Sequence, residues 1–139
     1  MATNQCESHP VSASFRKTLS QTAFFHDWYL KDVYVGNTGK GIEERSKSGY
    51  TTVQIEMCTS NNDISYLLVF LNVSSFSVSM EHSCDVSKYS FTSFGRCSEY
   101  SIVQCHESAC HVVEFEGGSR ISIRCQNAKC KKIVNTPFL

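Results

Sequence analysis

The sequence lacks both a strong net charge and a long apolar run. Its 13 lysines and arginines balance 13 aspartates and glutamates, so the formal net charge is zero. A neutral chain has no long-range field that attracts nucleic acid or an anionic membrane. The longest apolar run, residues 66–71, is far shorter than the roughly 20 residues that cross a bilayer. We therefore expect no membrane insertion, and nucleic acid is a poor candidate partner.

The first residues do not show the pattern of a leader either. Residues 1–6 contain neither a basic segment nor an apolar segment, which predicts no signal peptide. Two locations follow as alternatives. The protein is secreted or lies in the lumen of the endoplasmic reticulum if a signal peptide has been removed, and it is cytoplasmic otherwise.

Helical periodicity is the third missing feature. Serine is abundant, and no long stretch keeps apolar side chains three to four residues apart. Apolar and polar side chains instead alternate in 52–57, and 64–71 is almost continuously apolar, as in a central strand covered on both faces. Further short strands are predicted in 24–35, 76–80, 89–94, 100–105, 112–115, 121–125 and 133–134.

These strands predict a single all-β domain. Many short strands without intervening helices are typical of an antiparallel β-sandwich or a small barrel, and we expect the sandwich. Residues 23–139 form the β domain in this prediction. Residues 1–22 are polar, and we expect them to form a loosely ordered N-terminal arm.

Cysteine is the residue that the sequence has in excess. All eight cysteines are disulfide candidates: Cys6, Cys58, Cys84, Cys97, Cys105, Cys110, Cys125 and Cys130. An even number permits complete pairing, and a thin, serine-rich core would gain from bridges. A hairpin through Gly117 and Gly118 would place Cys125 on its inward face. We therefore expect a disulfide-stapled domain without a cofactor, although the spacing does not fix the connectivity.

Zinc is the alternative for four of these cysteines. Cys105, Cys110, Cys125 and Cys130 form two Cys-x4-Cys pairs on either side of the predicted hairpin, and four thiolates can hold a tetrahedral zinc. The four-residue gap is wider than the usual two-residue knuckle. A zinc site would also leave the other cysteines without a role, so disulfides are preferred.

Two histidines directly follow cysteines, which raises the question of a catalytic thiol. Neighbours on a strand point to opposite faces, so neither Cys105–His106 nor Cys110–His111 is placed for proton transfer. We expect both histidines on the surface. The sequence thus predicts no catalytic residues and no enzyme.

Three further groups of residues suggest contacts with other molecules. Asn72 begins the only Asn-x-Ser/Thr triplet and is a glycosylation candidate if the chain enters the secretory route. A basic group near the C-terminus could contact phosphates, but an edge strand defended by lysines explains it as well. An aromatic cluster is expected in the core, and any exposed member would be an anchor for a protein partner. The basic group is Arg120, Arg124, Lys129, Lys131 and Lys132, and the cluster is Phe24, Phe25, Trp28, Tyr29 and Tyr34.

Two segments carry a resemblance to a known family. An aromatic pair precedes a Trp-aromatic-aliphatic-basic run in 24–31, and a Gly-Ser-aliphatic strand ends in Arg-Cys in 118–125. Both resemble the immunoglobulin-like accessory proteins of coronaviruses, the family that includes the sarbecovirus protein of the eighth open reading frame. By position, Cys58, Cys105, Cys110 and Cys125 match that family, with Cys6 a looser match. The resemblance covers about a third of the chain.

The resemblance implies a disulfide-bonded, immunoglobulin-like β-sandwich that is secreted and engages host proteins in immune modulation. Together with the absence of a catalytic pattern, it predicts a non-enzymatic protein-binding domain and a viral accessory factor. The alternative is an intracellular zinc-binding, cysteine-rich protein that binds RNA through its basic C-terminal hairpin. The partner-binding residues are not identified by the sequence, and a homodimer stays open.

Overall fold

The computed structural model describes residues 11–36, 51–79 and 94–134. One helix, α1 (Ala13–Gln21), precedes six strands: β1 (Tyr29–Gly36), β2 (Thr51–Cys58), β3 (Ile64–Ser79), β4 (Cys97–Cys105), β5 (Ser108–Phe115) and β6 (Arg120–Val134). The strands form one antiparallel sheet in the order β1-β2-β3-β6-β5-β4. The prediction of an all-β, antiparallel fold is confirmed. Among the described residues, no helix is long and apolar enough to span a bilayer.

The predicted hairpin between β5 and β6 is present in the expected register. Val113 lies opposite Ile121, and the turn closes with a 2.9 Å hydrogen bond from the Gly118 amide to the Phe115 carbonyl. Gly118 has φ +94°, a backbone conformation that residues with a Cβ rarely adopt. Ile123 and Cys125 are fully buried with Ile121, so the inward face of the hairpin is confirmed.

The two longest strands bend together near their middle. β3 and β6 pair along their whole length, but the register shifts between Val73 and Ser75. Asn72 has φ +55°. Along β6, the alternation of buried and exposed residues is interrupted between Cys125 and Ala128, so that two residues separate them instead of one. Such an irregularity bends a strand and changes which side chains face inward. The inner face of the sheet can therefore enclose a core.

The two outer strands of the sheet meet at one end. The amide of Asp27 donates to the carbonyl of Cys97 at 2.9 Å, and the amide of Cys97 donates to the carbonyl of Trp28 at 2.7 Å. Tyr29 and Arg96 form an isolated antiparallel bridge beside them. The described strands thus belong to one strongly curved sheet, and the expectation of two facing sheets stays a prediction.

The helix α1 was not expected from the sequence. The side chain of Ser12 caps it by accepting a 3.1 Å hydrogen bond from the Phe15 amide. Phe15, Thr18 and Leu19 form its buried side, and Phe15 packs edge-on against Phe70 of β3 with a centroid separation of 6.2 Å. The helix covers the inner face of the sheet. Part of the predicted N-terminal arm is therefore helical, whereas residues 1–10 lie outside the described residues.

Candidate functional site

The sheet separates the cysteines by face. Cys125 and Cys130 lie on the inner face, where the Cys130 thiol donates to the Thr18 hydroxyl at 3.1 Å. Cys105 and Cys110 lie on the outer face and are partly exposed. The inward position of Cys125 is confirmed. In the structure, no disulfide joins the six cysteines within the described residues: Cys58, Cys97, Cys105, Cys110, Cys125 and Cys130.

No described cysteine lies directly opposite another in the strand register. Cys97 lies opposite Phe115, and Cys105 opposite Ser108. Cys110 lies between Val103 and Arg124, Cys125 between Val73 and Ala109, Cys130 opposite Leu68, and Cys58 between Tyr29 and Ser65. A disulfide between directly opposite residues of neighbouring strands would need a different strand register. The disulfide set stays a prediction, with Cys6 and Cys84 outside the described residues.

The four cysteines of the zinc alternative do not come together. Two of them, Cys125 and Cys130, face the core, whereas Cys105 and Cys110 face outward. Tetrahedral coordination needs all four sulfurs within about 2.3 Å of one ion, and the sheet lies between the two pairs. Within the described residues, no group of three or more His, Cys, Asp or Glu side chains could hold a metal.

A tyrosine and a histidine form a polar pair inside the core. The Tyr100 hydroxyl lies 2.8 Å from Nδ1 of His111, and His111 has no exposed surface. The expectation that His111 lies on the surface is wrong, because it shares the inward parity of Ala109 and Val113. His106, in the β4–β5 turn, is exposed as expected.

Aromatic rings surround His111. Phe70 and Phe15 pack edge-on against its ring with centroid separations of 4.9 and 5.6 Å. The Nε2 atom is buried and has no hydrogen-bond partner among the described residues. Burial lowers the pKa of His111 to about 4, since the charged ring would lose its hydration. This histidine is therefore neutral at physiological pH.

Burial also makes the inner thiols poor nucleophiles. It raises the pKa of Cys97 and of Cys125 to about 12. Burial raises the pKa of Cys130 too, against a smaller lowering by its hydrogen bond to Thr18. Because the thiolate is the reactive form, these side chains should be inert in the folded protein.

The outer face carries a polar cavity at the β4–β5 turn. Its volume is about 420 Å³, and it is lined by Asn72, Ser74, Cys105, His106, Glu107, Ser108, Arg124 and Gln126. A guanidinium nitrogen of Arg124 lies 3.9 Å from the sulfur of Cys105. His106 lines the same cavity because its φ of +54° places it in the turn, where strand parity does not apply. Strand alternation alone therefore does not predict that Cys105 and His106 line the same cavity.

The glycosylation candidate, Asn72, lies within β3. Its side-chain nitrogen donates to Oε1 of Gln126 at 3.3 Å, and the residue is mostly buried. A glycan on this nitrogen would break that hydrogen bond and the strand irregularity around it. Glycosylation of Asn72 stays a prediction.

The residues of the basic group lie along β6. This strand is between β3 and β5 for part of its length. Pairing with β5 ends at Cys125, so Arg120 and Arg124 are in the interior of the sheet and the edge-strand explanation is wrong for them. Arg120 also forms a 2.9 Å ion pair with Glu114. Lys129, Lys131 and Lys132 lie beyond the pairing with β5 and are exposed.

Strand β4 forms an edge of the sheet beside an apolar groove. Between Glu99 and Cys105, its described pairing is with β5 alone. Val103 on this strand is 58% exposed, and Phe24 nearby is 46% exposed. The groove, of about 280 Å³, is lined by Val11, Arg16, Leu19, Ser20, Phe24, Ile102 and Gln104.

The predicted aromatic cluster is divided between the core and the surface. Phe25 is fully buried, and Trp28 packs edge-on against it at 5.3 Å. Phe24 and Tyr34 are exposed. Phe24 is the exposed member that borders the groove.

Comparison with family models, with curated proteins and with solved structures finds no match for this chain. The site must therefore be interpreted from its own geometry.

Proposed function

We propose that this chain is a non-enzymatic protein-binding domain that takes up an extended segment of a partner along the edge of β4. The observation that carries the proposal is that, among the described residues, nothing protects this edge along residues 100–105. An edge strand offers backbone donors and acceptors to any extended chain, and proteins usually block it with charges, prolines or bulges. From Tyr100 to Cys105, β4 has no charged residue and no proline.

The opposite edge, β1, carries the usual protection. Lys31 and Asp32 lie within it, and its register is irregular between Leu30 and Asp32. Lys31 also forms a 3.5 Å ion pair with Glu56 of β2. The difference between the two edges favours β4 as the interaction surface.

The groove beside β4 suggests the chemistry of the partner. Side chains alternate across an added strand, so every second residue would face the apolar groove formed with Leu19, Phe24 and Ile102. Arg16 supplies a positive charge at the same groove. We expect the segment to contain alternating apolar residues and one acidic residue.

Selection from a displayed library of random short peptides tests this proposal. Enriched peptides should show the alternating pattern with an acidic residue. Val103→Lys should weaken their binding by about tenfold or more, because it places a charge on the exposed edge strand at which the partner would pair. Val35→Lys is the matched control, since Val35 is 52% exposed on the β1 edge, and it should leave binding unchanged.

Two results would count against the proposal. Equal losses in the two variants would show that the β4 edge is not the binding surface. Self-association of the unmodified chain in sedimentation, abolished by Val103→Lys, would show that a second copy of the chain occupies the edge instead of a partner protein.

A more specific version of the proposal follows from the resemblance to the coronavirus accessory proteins. It describes a secreted, immunoglobulin-like viral accessory factor with a disulfide-stapled sandwich, which engages host proteins. Non-reducing peptide mapping tests the bridges, and thermal melts with and without reductant test their contribution, for which we expect a strong loss of stability on reduction. An unchanged midpoint after verified reduction would contradict this form while leaving the β4 edge in place.

The alternative of a zinc-dependent RNA-binding protein has less support. It requires Cys105, Cys110, Cys125 and Cys130 at one ion, and they lie on opposite faces of the sheet. Filter binding with single-stranded RNA at varied salt measures it. A steep salt dependence that is lost on replacing Lys129 and Lys131 would favour this alternative over protein binding.

A further inference from the structure

The cavity at the β4–β5 turn combines a partly exposed thiol with a cation. Cys105 borders the cavity, and the Arg124 guanidinium nitrogen lies 3.9 Å from its sulfur. The rest of the lining is polar and includes one carboxylate: Asn72, Ser74, His106, Glu107, Ser108 and Gln126. At about 420 Å³, the space is within the range of small-molecule sites, roughly 300–1,000 Å³.

Arg124 differs from the other arginines on the strands around it. Arg120 pairs with Glu114 at 2.9 Å, and Arg96 pairs with Glu116 at 3.5 Å. Within the part of the chain that the structure describes, Arg124 forms no ion pair. Its charge is available to an anionic group that enters the cavity.

Among the described residues, no neighbouring cysteine is placed to bridge Cys105. Ser108 lies directly opposite, and Cys110 is its diagonal neighbour on the same face. Diagonal positions are about 7–8 Å apart, beyond the roughly 6.8 Å between Cα atoms that a disulfide tolerates. An external thiol attached to Cys105 would therefore persist.

We propose that Cys105 is a modification site that exchanges with a small anionic disulfide, of the glutathione type, bound in this cavity. Arg124 binds a carboxylate of the incoming molecule and orients its disulfide toward the sulfur of Cys105. Cys110 lies directly opposite Arg124 in the strand register but does not line the cavity, whereas Cys105 lines it with its sulfur near Arg124.

The exchange is balanced without any further reactant. Cys105 loses its proton to solvent, and its thiolate attacks one sulfur of the incoming disulfide. A new bond forms between that sulfur and Cys105 while the original S–S bond breaks. The second half leaves as a thiolate and takes up a proton, so Cys105 is oxidised and one small thiol is released.

Site-resolved mass spectrometry of the whole folded chain tests the proposal with three disulfides of different charge. We expect oxidised glutathione to modify Cys105 faster than neutral bis(2-hydroxyethyl) disulfide does, and cystamine to be slowest. Arg124→Gln should slow the glutathione reaction by about tenfold and remove this order of rates, because it deletes one charge-assisted contact. Arg120→Gln is the matched control and should leave the rates unchanged.

The proposal fails if Cys110 reacts as fast as Cys105, or if the charge of the disulfide has no effect. It also fails if Cys105 of the isolated protein is already joined to another cysteine. Cys105→Ser must abolish the added mass at this site. None of these outcomes depends on whether β4 binds a partner.

Discussion

The two faces of the sheet around β4, β5 and β6 have opposite chemistry, although both are built from the same alternating strands. The inner face buries Tyr100, His111 and Cys125 among aromatic rings, where charge is excluded. The outer face exposes Cys105 and Arg124 around a polar cavity. A residue's chemistry here therefore depends on its strand parity more than on its sequence neighbours, since Cys110 and His111 are adjacent yet lie on different faces.

The largest effect should come from placing a polar group on the inner face. Ile123→Ser removes a fully buried side chain and should cost about 2–4 kcal/mol of unfolding free energy through lost burial and a cavity. Ser122→Ala, one residue earlier, should change stability by less than about 0.5 kcal/mol. Equilibrium unfolding of both variants measures the difference. A silent Ile123→Ser together with a damaging Ser122→Ala would reverse the assignment of faces.

Acid should weaken the fold through His111. Its pKa is about 4 in the folded chain and near 6.5 in the unfolded one, so protons bind the unfolded state more readily. The stability that neutral His111 contributes is fully present above its pKa in the unfolded chain. It is lost as the pH falls toward its pKa in the folded chain. We expect a loss of about 2 kcal/mol between pH 7 and pH 5.

Unfolding titrations at several pH values measure this dependence. His111→Leu should flatten it, because the remaining described histidines, His26 and His106, are exposed. An equally steep pH dependence in that variant would show that His111 does not contribute it.

A smaller effect should follow from removing one hydroxyl group from the core. Tyr100→Phe keeps the ring contacts with Phe15 and Phe25 but leaves Nδ1 of His111 without its 2.8 Å partner. A buried polar atom without a partner costs about 1–2 kcal/mol. Chemical denaturation should detect this loss, with the exposed Tyr34→Phe as the control. Equal stabilities would mean that the pair contributes no net energy.

Parts of the fold and of the site could be predicted from the sequence, and the limits have physical causes. The alternation of Ile121, Ile123 and Cys125 identified a strand and its inner face because one residue in two is apolar. Helix α1 was missed because its stability comes from packing Phe15 and Leu19 on the sheet, whereas its serines and threonine give weak intrinsic helix propensity.

The side chains of His111 and Cys130 differ in how well the sequence predicts which face they occupy. His111 can be placed on the inner face from the sequence, because it alternates in step with Ala109, Val113 and Phe115. Cys130 could not be placed by counting from Cys125, because the irregularity near Asn72 shifts the parity of β6. Only tertiary structure reveals such a shift.

Thiol labelling of the native protein tests the separation of the two faces most directly. With a small alkylating reagent and site-resolved mass spectrometry, Cys105 and Cys110 should react rapidly, while Cys97 and Cys125 should react only as the chain unfolds. Cys130 should be slow as well, because it is half-buried and bonded to Thr18. Labelling of Cys125 at the rate of Cys105 under native conditions would contradict the account, because the inner face would then be open to solvent.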